Sequence, residues 1–486
     1  MSVSYKNFSS LQKLLTDENW FRVAIALIAI FSTCLRFWGL ARFDVLVFDE
    51  VHFANFAHNY LTHTPVFDAH PPLGKYFIAF GIWVLGFNPV GYRWVNALVG
   101  SFIPIILIAL AYRLTGNRKY AILAGIFASL DGLLLVEARH ALLNTYLLFF
   151  GLLGHLFFLI TLSKQGWRKW PYLILTGILL GATIAIKWSG LSIIVAIYAT
   201  WITIYLLKKL FPENFIYTKH TSEIPTFISP LEQIDQIKFY QLFICLPLII
   251  YFIYILAWQP HLKQNPGTIK EIETQIYNFH KSYANRPEEH PYTSAWYTWP
   301  LMLRPVSYFY ETVKDTNEIV PTGKKPVPLN EAKLVYDIHA MGNPMLYLLA
   351  LVSLLWISFT LIEKSWLLAR SFIYRQGSNK KYLLARNFFV PLYLIISYSA
   401  NLFSWAGVSR FTFLYHYIPA SAFSFLAAAW VLDHYLISSE QKLVKNLGII
   451  IVSIILLCFL FFLPVYLGLP ISPRGFFLRM WLPSWV

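Results

Sequence analysis

Apolar residues run along this chain in long unbroken blocks, rather than alternating with polar ones or recurring on one face of a helix. Blocks of about twenty residues, the length that crosses a bilayer, lie near 20–40, 92–112, 119–136, 143–162, 171–188, 190–210, 239–258, 344–362, 387–405, 411–432 and 447–469. Each predicts a transmembrane helix, about eleven in all. A further stretch, 73–87, is shorter and follows two prolines, which predicts an interfacial or re-entrant helix. The first block is too long for the core of a signal peptide and lacks a clear small-residue cleavage site, so a retained span is expected. The pattern gives an all-α integral membrane protein in three parts: a transmembrane module over 1–258 that includes an outer loop at 41–91, an outer cap over 259–343, and C-terminal helices over 344–486.

Composition agrees. Hydrophobic residues make up 57% and charged residues 13%, about half the roughly 25% charge of a soluble domain. The net charge of +15 would point to nucleic acid in a soluble protein, but here the cations sit in short connections between apolar blocks, which is a topology signal instead. With the N-terminus inside, the inner connections hold Arg113, Arg118, Lys119, Lys164, Arg168, Lys169, Lys208, Lys209, Lys219, Lys238, Lys364, Arg370, Arg375, Lys380, Lys381 and Arg386. The loop at 41–72 carries Asp44, Asp49, Glu50 and Asp68 instead. The positive-inside rule therefore places that loop, the cap and the C-terminal tail outside, at a plasma membrane. Cys34, Cys245 and Cys458 fall in separate apolar blocks and imply no disulfide or metal framework.

The chemistry concentrates in the first outer loop. It reads Phe48-Asp49-Glu50-Val51-His52-Phe53 and then Phe67-Asp68-Ala69-His70-Pro71-Pro72-Leu73-Gly74-Lys75. Adjacent carboxylates at a membrane surface can supply a general base, because crowding and partial burial raise a carboxylate pKa; a solvated acidic loop is the plainer alternative. Arg93, Arg139 and Lys187 fall at the outer ends of spans, where a cation either lines a polar cavity or snorkels to the headgroups. His52, His58, His63 and His70 share the loop with carboxylates, a donor set that can hold a divalent metal, but no pair has the HExxH-like spacing of one helical face; no metal site is assigned. In the cap, Trp296 and Trp299 with Tyr292 and Tyr297 either grip a sugar or an acceptor, or form an interfacial belt. His416 is expected to pack within the bundle.

The string DEVHFANFAHNYLTHTPVFDAHPPLGKYFIA resembles the signature of the protein O-mannosyltransferase family: an Asp-Glu pair after the first span and an HPPLGK-type stretch some twenty residues later. The likeness continues through GYRWVNALVG, VEARHALLNTYLLFF, AIKWSGL, HPYTSAWYTWPLMLRPVSYFY, MGNP and SRFTFLYHYIPA, nearly the whole chain. Two positions depart: Ala54 and Asn144 stand where the family often has Gly and Asp. The long outer loop lacks the β-trefoil insert of eukaryotic members, which makes this a bacterial-type sequence.

The resemblance implies a GT-C membrane bundle that moves mannose from a polyprenyl-phosphate carrier to Ser/Thr hydroxyls of exported proteins, with inversion. The donor substrate would be polyprenyl-phosphate-mannose, no cofactor is required and the partners are bilayer, donor and protein acceptor, not nucleic acid. On this reading Asp49 is the base, with Glu50 orienting the acceptor or sharing that task. Lys187, Arg93 and Arg139 bind the donor phosphate, His52, Asp68, His70 and Lys75 belong to the loop motif, and Trp296, Trp299 and His416 are weak sugar or acceptor contacts. Two other readings compete. A related transferase could glycosylate a lipid or glycan, as the aminoarabinose transferases do. A lipid-linked-sugar transporter would need mid-span charges and related halves, and neither is visible.

Overall fold

The computed structural model describes residues 19–212, 227–284, 290–314, 327–373 and 385–486; of the inner cations, Lys219, Arg375, Lys380 and Lys381 lie outside the described residues. Every one of the eleven apolar blocks carries helix. Among the described residues eight helices are long and apolar enough to cross a membrane: Asn19–Phe37, Pro89–Thr115, Asn144–Leu162, Trp188–Leu210, Gln241–Gln264, Pro344–Arg370, Leu414–Ile437 and Lys442–Leu467.

The block at 119–136 is not one straight rod. It breaks into Arg118–Ser129 and Gly132–Arg139, bent by 59°, because Asp131 acts as a helix N-cap: its side chain accepts the Leu134 N–H at 2.8 Å. An N-cap residue needs non-helical backbone, so one acidic residue inside an apolar block ends the first helix and starts the second. The blocks at 171–188 and 387–405 carry shorter helices, Trp170–Ile184 and Asn387–Phe403. The stretch after the paired prolines forms Leu73–Leu85, 13 residues, about 20 Å of helix against a hydrocarbon core of about 30 Å.

The two ends of the bundle differ in chemistry. At one end Asn117 caps the helix that starts at Arg118 and donates to Asp433 at 2.5 Å, and Lys208 pairs with Asp235. At the other lies the cap, in which strands β1 (Val306–Val313) and β2 (Leu334–Ala340) form an antiparallel hairpin with a register shift between Ser307 and Phe309. The C-terminal tail, expected on the outer side, packs onto this cap: Ile471 bridges Val335, Arg304 donates to the Ser484 carbonyl, and Trp485 Nε1 donates to the Met302 carbonyl at 2.9 Å.

The cap, the loop helix Glu50–Leu61 and the tail should therefore share one side of the membrane. In a chain lacking its three native cysteines, single cysteines at exposed Asn55 and Val486 should both react with an impermeant thiol reagent on intact cells, whereas one at exposed Arg168 should react only after permeabilisation. Labelling of Arg168→Cys from outside, with Asn55→Cys protected, would invert the topology.

Candidate active site

Asp49 and Glu50 are neighbours in sequence, but their surroundings give them opposite uses. Glu50 is fully buried. One of its oxygens accepts Arg93 Nε and the Ala141 N–H, both at 2.8 Å, and the other accepts Arg93 Nη2 at 2.7 Å and the Val47 N–H at 2.8 Å. Burial opposes its ionisation, but the Arg93 guanidinium and the Val47 N–H outweigh burial and hold the carboxyl below its ordinary range. Both oxygens are occupied, so Glu50 has no lone pair to offer an acceptor. It ties the loop to the turn after Arg139.

The Asp49 carboxylate, in contrast, makes no side-chain hydrogen bond among the described residues and sits partly open at the start of the loop helix. Burial pushes its pKa up, while Lys187 and His52 pull it back. The residue before it, Phe48, has a positive φ of 51°, a conformation rare for an aromatic residue and found where the surroundings enforce it. Its ring stacks on Tyr308 of β1, centroids 4.1 Å apart and 5° from parallel, and meets the Tyr415 ring edge-on. Phe48, Asp49, Glu137, Asn144, Lys187, Tyr308 and Tyr415 all line a narrow cleft of about 10 Å³.

Lys187 stands at the turn between two helices, where its ammonium donates to Asn144 Oδ1 at 2.9 Å and lies 5.8 Å from the Tyr415 ring centre. The HPPLGK stretch is built to meet this turn. The Leu73 N–H donates to the Ala185 carbonyl at 3.0 Å, and Gly74 lies so close to Leu143 and Ile186 that a Cβ would sit 2.8 Å from Leu143. Lys75 is buried in a pair with Asp68 and donates to the His70 carbonyl at 2.8 Å. Asp68, His70 and Lys75 thus form the latch of the loop. Burial, with the Lys187 and Lys75 charges, keeps His70 neutral, well below the usual histidine range. His52 is exposed beside the site.

Of the two arginines expected at the donor phosphate, Arg93 has no N–H left to offer it. Arg93 spends its Nε on Glu50, its Nη1 on the carbonyls of Leu40 and Phe43, and its Nη2 on Val45 and Glu50; all five N–H donors of a guanidinium are taken. Arg139 Nη1 donates to the carbonyls of Leu35, Arg36 and Trp38, the orphan carbonyls at the end of the first span. A different cation stands beside Lys187. Arg410 is within electrostatic reach of it and makes one side-chain hydrogen bond among the described residues, to the Phe411 carbonyl at 3.2 Å. With Trp188, Leu191, His280, Ser404, Trp405 and Val408, Arg410 lines a lateral cleft of about 240 Å³.

The cap aromatics divide likewise. Trp299 is buried, donates to Ser294 Oγ at 2.9 Å and stacks on His416, and Trp296 packs edge-on against Phe403. These three residues join the cap to the bundle. Among the described residues no group of three or more His, Cys, Asp or Glu is placed to hold a metal ion.

Comparison with known proteins decides the family. A family model described as dolichyl-phosphate-mannose-protein mannosyltransferase matches residues 26–92 and 86–265, and one described as the C-terminal four-transmembrane region of protein O-mannosyltransferase matches residues 267–485. The chain belongs to the protein O-mannosyltransferase family. Among its relatives are two proteins named polyprenol-phosphate-mannose–protein mannosyltransferase. One, from Mycolicibacterium smegmatis, is 24% identical over 90% of this chain and 87% of that protein. The other, from Mycobacterium tuberculosis, is 23% identical over 99% and 94%. In fold the chain resembles the Saccharomyces cerevisiae protein O-mannosyltransferase Pmt1-Pmt2 complex bound to the sugar donor, with a TM-score of 0.72 and 15% identity over 99% of this chain and 94% of that one. It also resembles ArnT from Cupriavidus metallidurans bound to undecaprenyl phosphate, with a TM-score of 0.52 and 13% identity over 93% and 66%. The fold is thus that of the GT-C membrane glycosyltransferases.

Two residues that line these clefts, Glu137 and Arg410, were not singled out from the sequence. Glu137 lies in the quoted VEARH segment, and a carboxylate inside an apolar block is itself a signal of function. Arg410 lies in SRFTFLYHYIPA and carries no such mark.

Proposed function

We propose that this protein transfers mannose from a polyprenyl-phosphate carrier to Ser/Thr hydroxyls of exported polypeptides, with inversion and on the outer face of the plasma membrane. The observation that carries the reading is the contrast between an unpaired carboxylate, Asp49, and a cation, Lys187, facing one cleft. Asp49 takes the proton of the acceptor hydroxyl as its oxygen attacks the anomeric carbon. The bond from that carbon to the phosphate oxygen breaks, and the electron pair leaves with polyprenyl phosphate. Lys187 and Arg410 hold the donor phosphate in the bound state and take up the charge that develops on it as the bond breaks. The carrier's apolar chain lies in the lateral cleft along Trp188, Leu191 and Val408, which Arg410 also lines.

Lys187→Ala and Arg410→Ala should each raise the donor KM by about ten- to a hundredfold, the range expected on losing a hydrogen bond to a charged group. Steady-state rates against polyprenyl-phosphate-mannose at saturating acceptor peptide measure this. Wild-type donor KM and kcat in both variants would remove the phosphate from this cleft.

A further inference from the structure

We propose that Glu137 is a positioning residue for Lys187, acting through Asn144 and itself held by Tyr308 of the cap hairpin. The proposal rests on the functional reading above and adds to it how the cation is aimed.

Glu137 is buried in the short helix beyond the Asp131 bend. One of its oxygens accepts the Tyr308 hydroxyl, and the other accepts Asn144 Nδ2 at 3.2 Å. The Asn144 carbonyl oxygen then accepts Lys187 Nζ at 2.9 Å. The chain has one polarity from end to end. Phenol and amide both donate into the carboxylate, which leaves the amide oxygen to face the ammonium. Lys187 spends one of its three N–H donors here, and the others are left for the leaving phosphate. Without Glu137 as a double acceptor, nothing would fix which way the Asn144 amide points.

Tyr308 reaches this carboxylate because of the hairpin's irregularity. The register shift between Ser307 and Phe309 leaves Tyr308 as the extra residue of β1, and a bulge of that kind re-aims a side chain. The same ring stacks on Phe48, the residue before Asp49. The cap therefore meets the residue before the base through the face of Tyr308, and reaches the cation through its hydroxyl by way of Glu137 and Asn144.

The donor and acceptor count gives a sharp test. Glu137→Gln puts an NH₂ where one of the two donors must be received. Either the Tyr308 hydroxyl loses its acceptor, or Asn144 turns its own NH₂ toward Lys187. The double variant Glu137→Gln with Asn144→Asp restores a matched chain: the Gln oxygen accepts Tyr308, the Gln NH₂ donates to the new carboxylate, and the second carboxylate oxygen accepts Lys187. Glu137→Gln should raise the donor KM by about tenfold or more, as expected for a mispaired buried polar group, with acceptor KM unchanged. The double variant should return the donor KM to within about threefold of wild type, a rescue that a merely structural role would not produce. Tyr308→Phe, which keeps the ring stacking, should raise the donor KM to a smaller degree and serves if Glu137→Gln does not fold. Affinity for polyprenyl phosphate alone, measured beside turnover, separates this proposal from the functional one. A wild-type protein that binds polyprenyl phosphate but transfers no mannose would overturn the function, while the swap would still read out on affinity. Wild-type donor KM in Glu137→Gln, or a double variant no better than the single one, overturns the positioning role.

Discussion

Asp49→Asn should slow mannosyl transfer by about 10²–10⁴-fold, the usual loss on removing a general base, while the protein stays folded and still binds its donor. The substitution changes few atoms, and the carboxylate makes no side-chain hydrogen bond among the described residues that an amide would break. Its effect on stability has the opposite sign to its effect on rate. A buried carboxyl whose pKa is raised on folding stabilises the protein only at pH low enough to keep it protonated, and that contribution is lost as the pH rises through the raised value. At neutral pH a neutral amide avoids this cost, so the Tm of Asp49→Asn should equal or exceed that of wild type. The same shift sets the pH dependence of the reaction. A base must be ionised to act, so the acid limb of kcat/KM should fall above the ordinary Asp range, with activity lost as the pH drops through it.

Arg93→Leu should cost about 3–5 kcal/mol of stability, the range seen when one member of a buried ion pair is removed, and it should act on folding rather than on donor affinity. The variant leaves Glu50 buried and charged, and strips the carbonyls of Leu40, Phe43 and Val45 of their donor. The depressed Glu50 carboxyl gives the pair a pH signature: its contribution is full above the unfolded Glu pKa and is lost as the pH falls through the folded value. Thermal unfolding in detergent measures the loss. A donor KM raised in the surviving folded fraction, with an unchanged Tm, would return Arg93 to the phosphate.

The fold was legible because a bilayer imposes a length, and an apolar block of that length can do little else but span. The bend at Asp131 was harder to read, since one carboxylate in such a block signals a cap only once the helix beyond it is seen. Asp49 and Lys187 stood out from short motifs whose residue types suit a base and a phosphate cation, and the structure brings both to one cleft. Glu50 and Arg93 stood out for the same reason, and the structure pairs them with each other instead. Composition and position make a carboxylate and a cation look catalytic, and only the partners of each oxygen and each N–H show that these two neutralise one another. Arg139 gives its Nη1 to carbonyls at the end of the first span, a use that its position in the sequence does not show. Trp299 and His416 could pack or bind equally well by sequence, and their mutual stacking assigns them to packing. Tyr308 gave no sign, because its aim depends on a register shift between strands whose pairing the sequence does not display.

On the proposed mechanism Asp49 activates a peptide hydroxyl against a polyprenyl-phosphate sugar. Purified protein can be incubated with polyprenyl-phosphate-mannose and a Ser/Thr-rich peptide, with the product read by intact mass and by the NMR coupling of its anomeric proton. The peptide should become heavier by one hexose, linked through a hydroxyl with the anomeric configuration opposite to the donor's, with no product above background for Asp49→Asn. An unmodified peptide with the wild-type protein, retained configuration, or equal product from Asp49→Asn would contradict this mechanism.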